Sequence, residues 1–287
     1  MYCDFFGMSE KPFTVTPNPR FMFLSSNHHQ VLAQLMEGID NRVGFIALTG
    51  EIGTGKTTVL RTLLTRLDPS KYSSALIFNS CLSGEQLLVS ICREFRIDVA
   101  EKNSAAYLDA LNSFLLDQYS EGRTAVLVID EAQNLVPEVL EQVRQITNLE
   151  TVHTKLIQVI LAGQPELEGV LSRYDLRQLS KKISVHCRLA PLNRQDTVGY
   201  IEHRLKTSGC RLPGVFSRGA IGRIFRFSGG VPRLINIACD QALVMAWTRE
   251  STTVTGVIAN RVISEARLEP ARRNWLQRFH DRIWSLR

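Results

Sequence analysis

The chain has 287 residues, 44% apolar and 22% charged, with a net charge of +6. This is ordinary for a soluble globular protein with a real core, in one large or two modest domains. The apolar runs are strand-sized, which excludes a helical membrane span of roughly 20 residues. Met1-Tyr2-Cys3-Asp4-Phe5-Phe6 carries no basic stretch and no cleavage-like site, so no secretory signal is expected here. The six cysteines form no C-x-x-C pair and read as free thiols, and the six histidines show no metal-ligand spacing. His28 and His29 read as surface or packing residues.

In chain order, Val43, Phe45, Ile46, Ala47 and Leu48 predict a buried strand, and Thr58 to Leu64 predict a helix. Between them lies Gly50-Glu51-Ile52-Gly53-Thr54-Gly55-Lys56-Thr57, a full match to the Walker A pattern G-x-x-x-x-G-K-[ST]. A polyphosphate needs many short N–H donors, and a glycine-rich turn lets the backbone wrap around it. The following helix aims its free N–H groups and its dipole at the same charge. Residues Gly50 to Thr58 are therefore the expected nucleotide cradle, with Lys56 reaching the β- and γ-phosphates and Thr57 taking one Mg²⁺ position.

Ser74 to Asn79 predicts the second strand, and Glu85 to Phe95 and Ala105 to Tyr119 carry apolar residues at helical spacing. Ala125-Val126-Leu127-Val128-Ile129 is an almost wholly apolar run, as for a central parallel strand. It ends in Asp130-Glu131, and Pro137 then opens a helix over 138–149. Leu156 to Leu161 predicts the fourth strand, closed by Ala162-Gly163-Gln164-Pro165. A helix from about Glu166, a break near Arg173-Tyr174-Asp175 and a short helix to Lys182 lead to a last strand over 183–189. Strands alternating with helices make an α/β domain with a parallel sheet. From Pro191 the pattern is helical only, over 196–208, 218–227, 232–248 and 255–268. The expected domains are thus 1–190 (α/β, nucleotide-binding), 191–268 (helical lid) and 269–287 (a basic amphipathic tail).

An acid ending a central strand can hold Mg²⁺ through water, which suits Asp130. A second carboxylate directly after it, Glu131, can accept a proton from the water that attacks the γ-phosphate.

With Leu48 to Thr58, Ile129-Asp-Glu-Ala-Gln-Asn-Leu135, Leu161-Ala-Gly-Gln-Pro-Glu-Leu167 and Gly229-Gly230-Val231-Pro232-Arg233-Leu234-Ile235-Asn236, the chain resembles the AAA+ ATPases of the ExeA/GspA (general secretion pathway protein A) type. The opening Phe5-Phe6-Gly7, Pro12-Phe13 and Thr16-Pro17-Asn18-Pro19-Arg20-Phe21 is similar too. The resemblance runs from about residue 1 to 268. It implies a P-loop AAA+ core of five parallel strands in order 5-1-4-3-2 with a helical lid, binding ATP and Mg²⁺ and working as a homo-oligomer, a ring among the forms. It further implies Gln164 as a polar sensor near the γ-phosphate, Arg233 as the lid arginine coupled to the phosphates, and Asn79 as a hydrogen-bond partner that restrains Glu131. Where the family carries an arginine offered to the neighbouring subunit, this chain has Lys182. Arg177, about one and a half turns earlier, is the candidate substitute. Slow, assembly-dependent hydrolysis is the expectation.

From Arg267 to Arg287 six arginines stand against Glu269 and Asp281, and Trp275, Leu276, Phe279, Ile283 and Leu286 fall on one side of a helix. Such a tail suits a membrane surface, a partner groove or packing on the lid itself. The leading reading is a cytoplasmic ATPase doing conformational work for a secretion or envelope-assembly machine, with contact to the inner face of the membrane through the tail. A DNA-associated ATPase of the transposition-regulator type and a nucleotide switch with negligible hydrolysis stay open, nucleic acid being the less favoured partner.

Overall fold

The computed structural model describes residues 2–16, 18–78, 82–149 and 155–268. Asn79 and the tail over 269–287 lie outside the described residues. The chain divides into two compact units, residues 24–190 and a helical unit joining the N-terminal segment through Phe23 to the chain from Pro191 onward.

The α/β unit runs α1 (Ser26–Asp40), β1 (Phe45–Gly50), α2 (Lys56–Arg66), β2 (Tyr72–Ile77), α3 (Gly84–Glu94) and α4 (Ser104–Ser120). It continues with β3 (Thr124–Ile129), α5 (Pro137–Ile146), β4 (Ile157–Gly163), α6 (Glu166–Leu171), α7 (Arg177–Lys182) and β5 (Ile183–Leu189). The strands form one five-stranded parallel sheet in the order β2-β3-β4-β1-β5, the arrangement expected from the resemblance. Burial explains the order. Every residue of β1, β3 and β4 is buried, while β2 and β5 are partly exposed, as edge strands should be. Side chains alternate across the sheet: Phe45, Ala47, Leu127 and Ile129 join the core under α3 to α7. Ile46, Leu48, Val126 and Val128 pack instead with Val31, Leu35, Val59 and Leu63 of α1 and α2. Helix α1 adds to the elements expected from sequence; Ser25 caps it, accepting from the His28 N–H.

The helical unit contains α8 (Arg194–Thr207), α9 (Arg218–Ser228), α10 (Pro232–Thr248) and α11 (Gly256–Leu268). Residues 2–23, expected with the α/β domain, pack here instead. The reason is apolar burial: Tyr2, Phe6, Met8 and Phe13 enter the same core as Tyr200, Ile224, Ile235 and Leu243. A buried cation secures the attachment. Arg204 on α8 donates from Nε to Pro12 O at 2.5 Å, from Nη1 to Tyr200 Oη at 2.7 Å and from Nη2 to Thr14 O at 3.3 Å. Its guanidinium also lies 4.9 Å from the Phe21 ring centroid. Among the described residues no helix is long and apolar enough to cross a membrane.

Replacing Arg204 by methionine keeps most of the volume but orphans the buried Pro12 carbonyl and leaves Thr14 O and the Tyr200 hydroxyl with Asn236 alone. Arg204→Met should lower the unfolding free energy by about 2–4 kcal/mol. It should also speed proteolysis within residues 2–23, both read by denaturant melts and limited digestion. Unchanged stability would show that the apolar side chains alone hold the segment.

Candidate nucleotide-binding site

Strands β3, β4 and β1 are neighbours, so their carboxyl ends bring three loops together, the position at which open α/β sheets bind ligands. The loop after β1 is shaped by its glycines. A Cβ on Gly50 would stand 2.7 Å from Leu189 O of β5, and Gly53 and Gly55 take φ of 82° and 106°. Thr54 is fully buried; its hydroxyl donates to Glu51 O at 2.8 Å, closing the turn. Beneath the loop, His28 spans Ser25 and Thr54, with Nδ1 2.7 Å from Ser25 Oγ and Nε2 3.2 Å from Thr54 O. A carbonyl only accepts, so Nε2 carries a proton. His28 is thus a buried strut of the loop.

Lys56 opens α2 and is 6% exposed. Its ammonium donates to Gly50 O at 2.6 Å and Glu51 O at 3.2 Å, both carbonyls of its own loop. Burial pushes its pKa down, opposed by the charges of Glu131, Asp130, Glu51 and Glu166. Thr57 Oγ1 donates to Asp130 Oδ2 at 2.6 Å, bringing together the two residues expected at a cation. The other oxygen, Asp130 Oδ1, accepts the Glu131 N–H at 2.9 Å. Burial pushes the Asp130 carboxyl above the usual range, against those two hydrogen bonds. A hydroxyl and a carboxylate are hard oxygen donors that fit Mg²⁺, and a buried ammonium beside them fits a polyphosphate anion.

Glu131 takes the left-handed conformation, φ 54° and ψ 35°, at the entry to a 3-10 turn over Ala132–Asn134. Its Oε2 accepts from Gln133 Nε2 at 2.7 Å and from Gln164 Nε2 at 3.3 Å. Gln164, at the tip of β4, therefore meets Glu131 directly, and its backbone N–H donates to Gln133 Oε1 at 3.0 Å. From the sequence, Gln133, inside the Ile129–Leu135 motif, receives no role of its own, and His28 reads as a surface or packing residue. A glutamine two places after the acid, at a strand end followed by a tight turn, was the available signal for the first. Ile52 is exposed in the loop, and Thr58 follows Thr57 in α2.

Arg177 and Lys182 make other contacts within the α/β unit. Arg177 stacks on Tyr174, its guanidinium carbon 4.4 Å from the ring centroid, and Lys182 Nζ donates to Asn148 Oδ1. Arg233 belongs to the helical unit, where Pro232 starts α10 and Arg233 Nε is buried without a hydrogen-bond partner. The bend before it requires glycine: Gly230 has φ 82°, and a Cβ there would lie 1.9 Å from Leu192 O.

Asp130 has a pKa raised on folding, so the folded state binds its proton more readily than the unfolded one. The associated stability is full below the unfolded value and is lost as pH rises through the folded value. Asp130→Asn removes that loss while the Thr57 hydroxyl turns to meet the new amide. The variant, free of ligand, should melt about 2–5 °C higher at neutral pH. It should also show less decline as pH rises above about 4, the ordinary carboxylate range. A lower melting temperature would mean that the hydrogen bonds outweigh desolvation.

Residues 39–171 match the AAA_22 family, an AAA domain. General secretion pathway protein A of Aeromonas hydrophila is 45% identical over 252 residues, which cover 88% of this chain and 46% of that protein. The chain thus spans about half the length of this curated relative. Among solved structures, the ORC2 protein of Aeropyrum pernix in ADPNP-ADP complexes aligns with a TM-score of 0.67 at 15% identity, covering 90% of this chain and 71% of that one. Cdc6p from Pyrobaculum aerophilum aligns at 0.61 with 18% identity, over 83% of this chain and 68% of that one. The RuvB Holliday junction branch migration motor of Thermotoga maritima aligns at 0.56 with 14% identity, over 85% and 72% respectively. At such identities the likeness is one of fold. With the phosphate loop, the paired acids and the β2-β3-β4-β1-β5 sheet in place, the chain carries an AAA domain over residues 39–171 and is similar over most of its length to general secretion pathway protein A.

Proposed function

We propose that the protein binds ATP with Mg²⁺, hydrolyses it, and passes the resulting conformational change to a bacterial secretion or envelope-assembly system. The observation that carries this reading is the chain of contacts from Thr57 to Asp130 to Glu131 beside a buried Lys56. Gly50 to Thr58 wrap the phosphates with backbone N–H groups, and Lys56 exchanges its two carbonyl partners for phosphate oxygens. Thr57 and Asp130 hold the cation, which supplies charge neutralisation at the phosphates. Glu131 accepts the proton of the attacking water, and Gln164 orients it. Arg233 couples the helical unit to the nucleotide, and Asn79 is a second candidate restraint on Glu131. As in assembled AAA+ rings, Arg177 or Lys182 is offered to a neighbouring copy. The remaining placements, a cytoplasmic position and a tail at the inner membrane face, follow the secretion-type relative and the basic composition of 269–287.

A nucleotide switch with negligible hydrolysis is the second reading. It is favoured by Lys182, a point charge without the planar fork of an arginine, already engaged with Asn148.

ATP turnover measured against protein concentration separates the two. Turnover per subunit should rise with concentration and fall by at least about 100-fold in Glu131→Gln. Duplex DNA and anionic vesicles, added in parallel, report the partner class; stimulation by DNA would favour the transposition-regulator alternative. ATP binding without turnover at any concentration would leave the switch.

Arg177→Ala and Lys182→Ala locate the residue acting in trans. One of them should slow assembled turnover by about 10-fold or more while leaving ATP affinity unchanged. If neither does, this segment supplies no finger.

A further inference from the structure

We propose that Gln133 is a positioning residue for Glu131, a clasp that ties the acidic carboxylate to the tip of β4. The proposal rests on the reading of Glu131 as proton acceptor. Its Nε2 donates to Glu131 Oε2 at 2.7 Å while its Oε1 accepts the Gln164 N–H at 3.0 Å, so one amide grips two loops. Only one orientation of that amide is chemically sound. Flipped, it would set a carbonyl against a carboxylate and an NH₂ against an N–H.

Three local features make the clasp possible. The left-handed backbone at Glu131 turns the chain so that the side chain of residue 133 returns to residue 131. Asp130 Oδ1 holds the intervening Glu131 N–H at 2.9 Å, which stabilises that strained residue. At β4, Gly163 leaves room: a Cβ there would come within 2.6 Å of Gln133 Oε1.

The consequence is directional. Gln133 and Gln164 both donate to Oε2, and Oε1 takes no hydrogen bond from the described residues. Among the described residues the carboxylate is therefore held by one oxygen and presents the other as acceptor. A base fixed in this way needs no reorientation when water attacks, which is the advantage of preorganisation. Because Gln164 is part of the same grip, movement of the β4 tip is transmitted to the carboxylate through Gln133. Without Gln133, the side-chain contact left to Glu131 among the described residues is the longer one to Gln164 at 3.3 Å.

The test compares Gln133→Ala, Gln133→Glu, Glu131→Gln and the Gln133→Ala/Glu131→Gln pair. Gln133→Glu is nearly isosteric, keeps an acceptor for Gln164 and loses the donor to Glu131. Both single Gln133 variants should lower kcat by about 10- to 100-fold. KM and the Kd of a fluorescent ATP analogue should stay within about twofold, because the phosphate loop is untouched. Adding Gln133→Ala to Glu131→Gln should produce no further loss in single-turnover measurements. A kcat within about twofold of wild type overturns the proposal, as does a loss matched by weaker nucleotide binding or one that persists in the pair. The side-chain amide signal of Gln133 in ¹⁵N spectra of the nucleotide-free protein gives a readout independent of turnover. It should move on Glu131→Gln, and a signal that stays in place overturns the clasp. Full turnover in Glu131→Gln overturns the proton-acceptor reading instead, and with it the catalytic role of Gln133, whatever the amide signal shows of the contact.

Discussion

The ammonium of Lys56, buried against the carbonyls of its own loop, is the constraint on which the site is built. A charge taken out of water needs close partners, and here two come from Gly50 and Glu51 at 2.6 and 3.2 Å. Those carbonyls face inward only because Gly50 lies tight against β5 and because Gly53 and Gly55 adopt left-handed angles. Thr54 and His28 then pin the turn from below. The carboxylates of Asp130 and Glu131 complete the balance at longer range, which is why a strand not adjacent to β1 must end in two acids. Loop, sheet order and acidic pair are one electrostatic arrangement.

Much of this was legible in the sequence because the responsible signals are local. Fully buried strands appear as unbroken apolar runs, and the phosphate loop, the acid pair and Pro137 are contiguous in the chain. The parts that were not legible depend on contacts made at a distance. Helix α1 ends in Glu-Gly-Ile-Asp and carries two histidines, so its apolar face was easily overlooked until His28 met Thr54. The N-terminal aromatics announce burial but not the partner; they join the core of the helical unit, in a segment bonded to Arg204, some 190 residues away. Gln133 is a polar residue in a short turn, a type common at surfaces. Only the left-handed angle at Glu131, which no spacing encodes, turns it toward the carboxylate.

Arg204 shows the same physics in a different role. It is buried with no carboxylate partner among the described residues, and its donors go to two carbonyls and a hydroxyl. A hydrocarbon there would pack as well but would leave Pro12 O unpaired and the other two acceptors with fewer partners, the more damaging outcome. Neutral acceptors suffice because the guanidinium spreads its charge and meets the faces of Phe21 and Tyr200. Asn236 joins the network, accepting from the Tyr200 hydroxyl at 2.8 Å and donating to Thr14 O at 3.4 Å. Three stretches of chain are thereby tied at one point: the N-terminal segment, α8 and α10.

At the nucleotide site the balance is left incomplete on purpose of function. Burial pushes the Lys56 pKa down and that of Asp130 up, so each charge is less comfortable folded than unfolded. Glu131 adds a left-handed backbone angle, which costs a non-glycine residue about 1 kcal/mol. Filling these positions with neutral, well-packed residues would make a more stable protein and a poorer binder. The proposed anion beside Lys56 and cation beside Asp130 would relieve both penalties, and only in the folded state, where the two groups are adjacent. The free energy lost in burying these groups would thus be returned on the proposed binding, so that ligand and folding would favour one another. The same linkage makes the loops after β1, β3 and β4 the part of the α/β unit most responsive to what occupies the site, while the buried strands beneath them have no comparable reason to move.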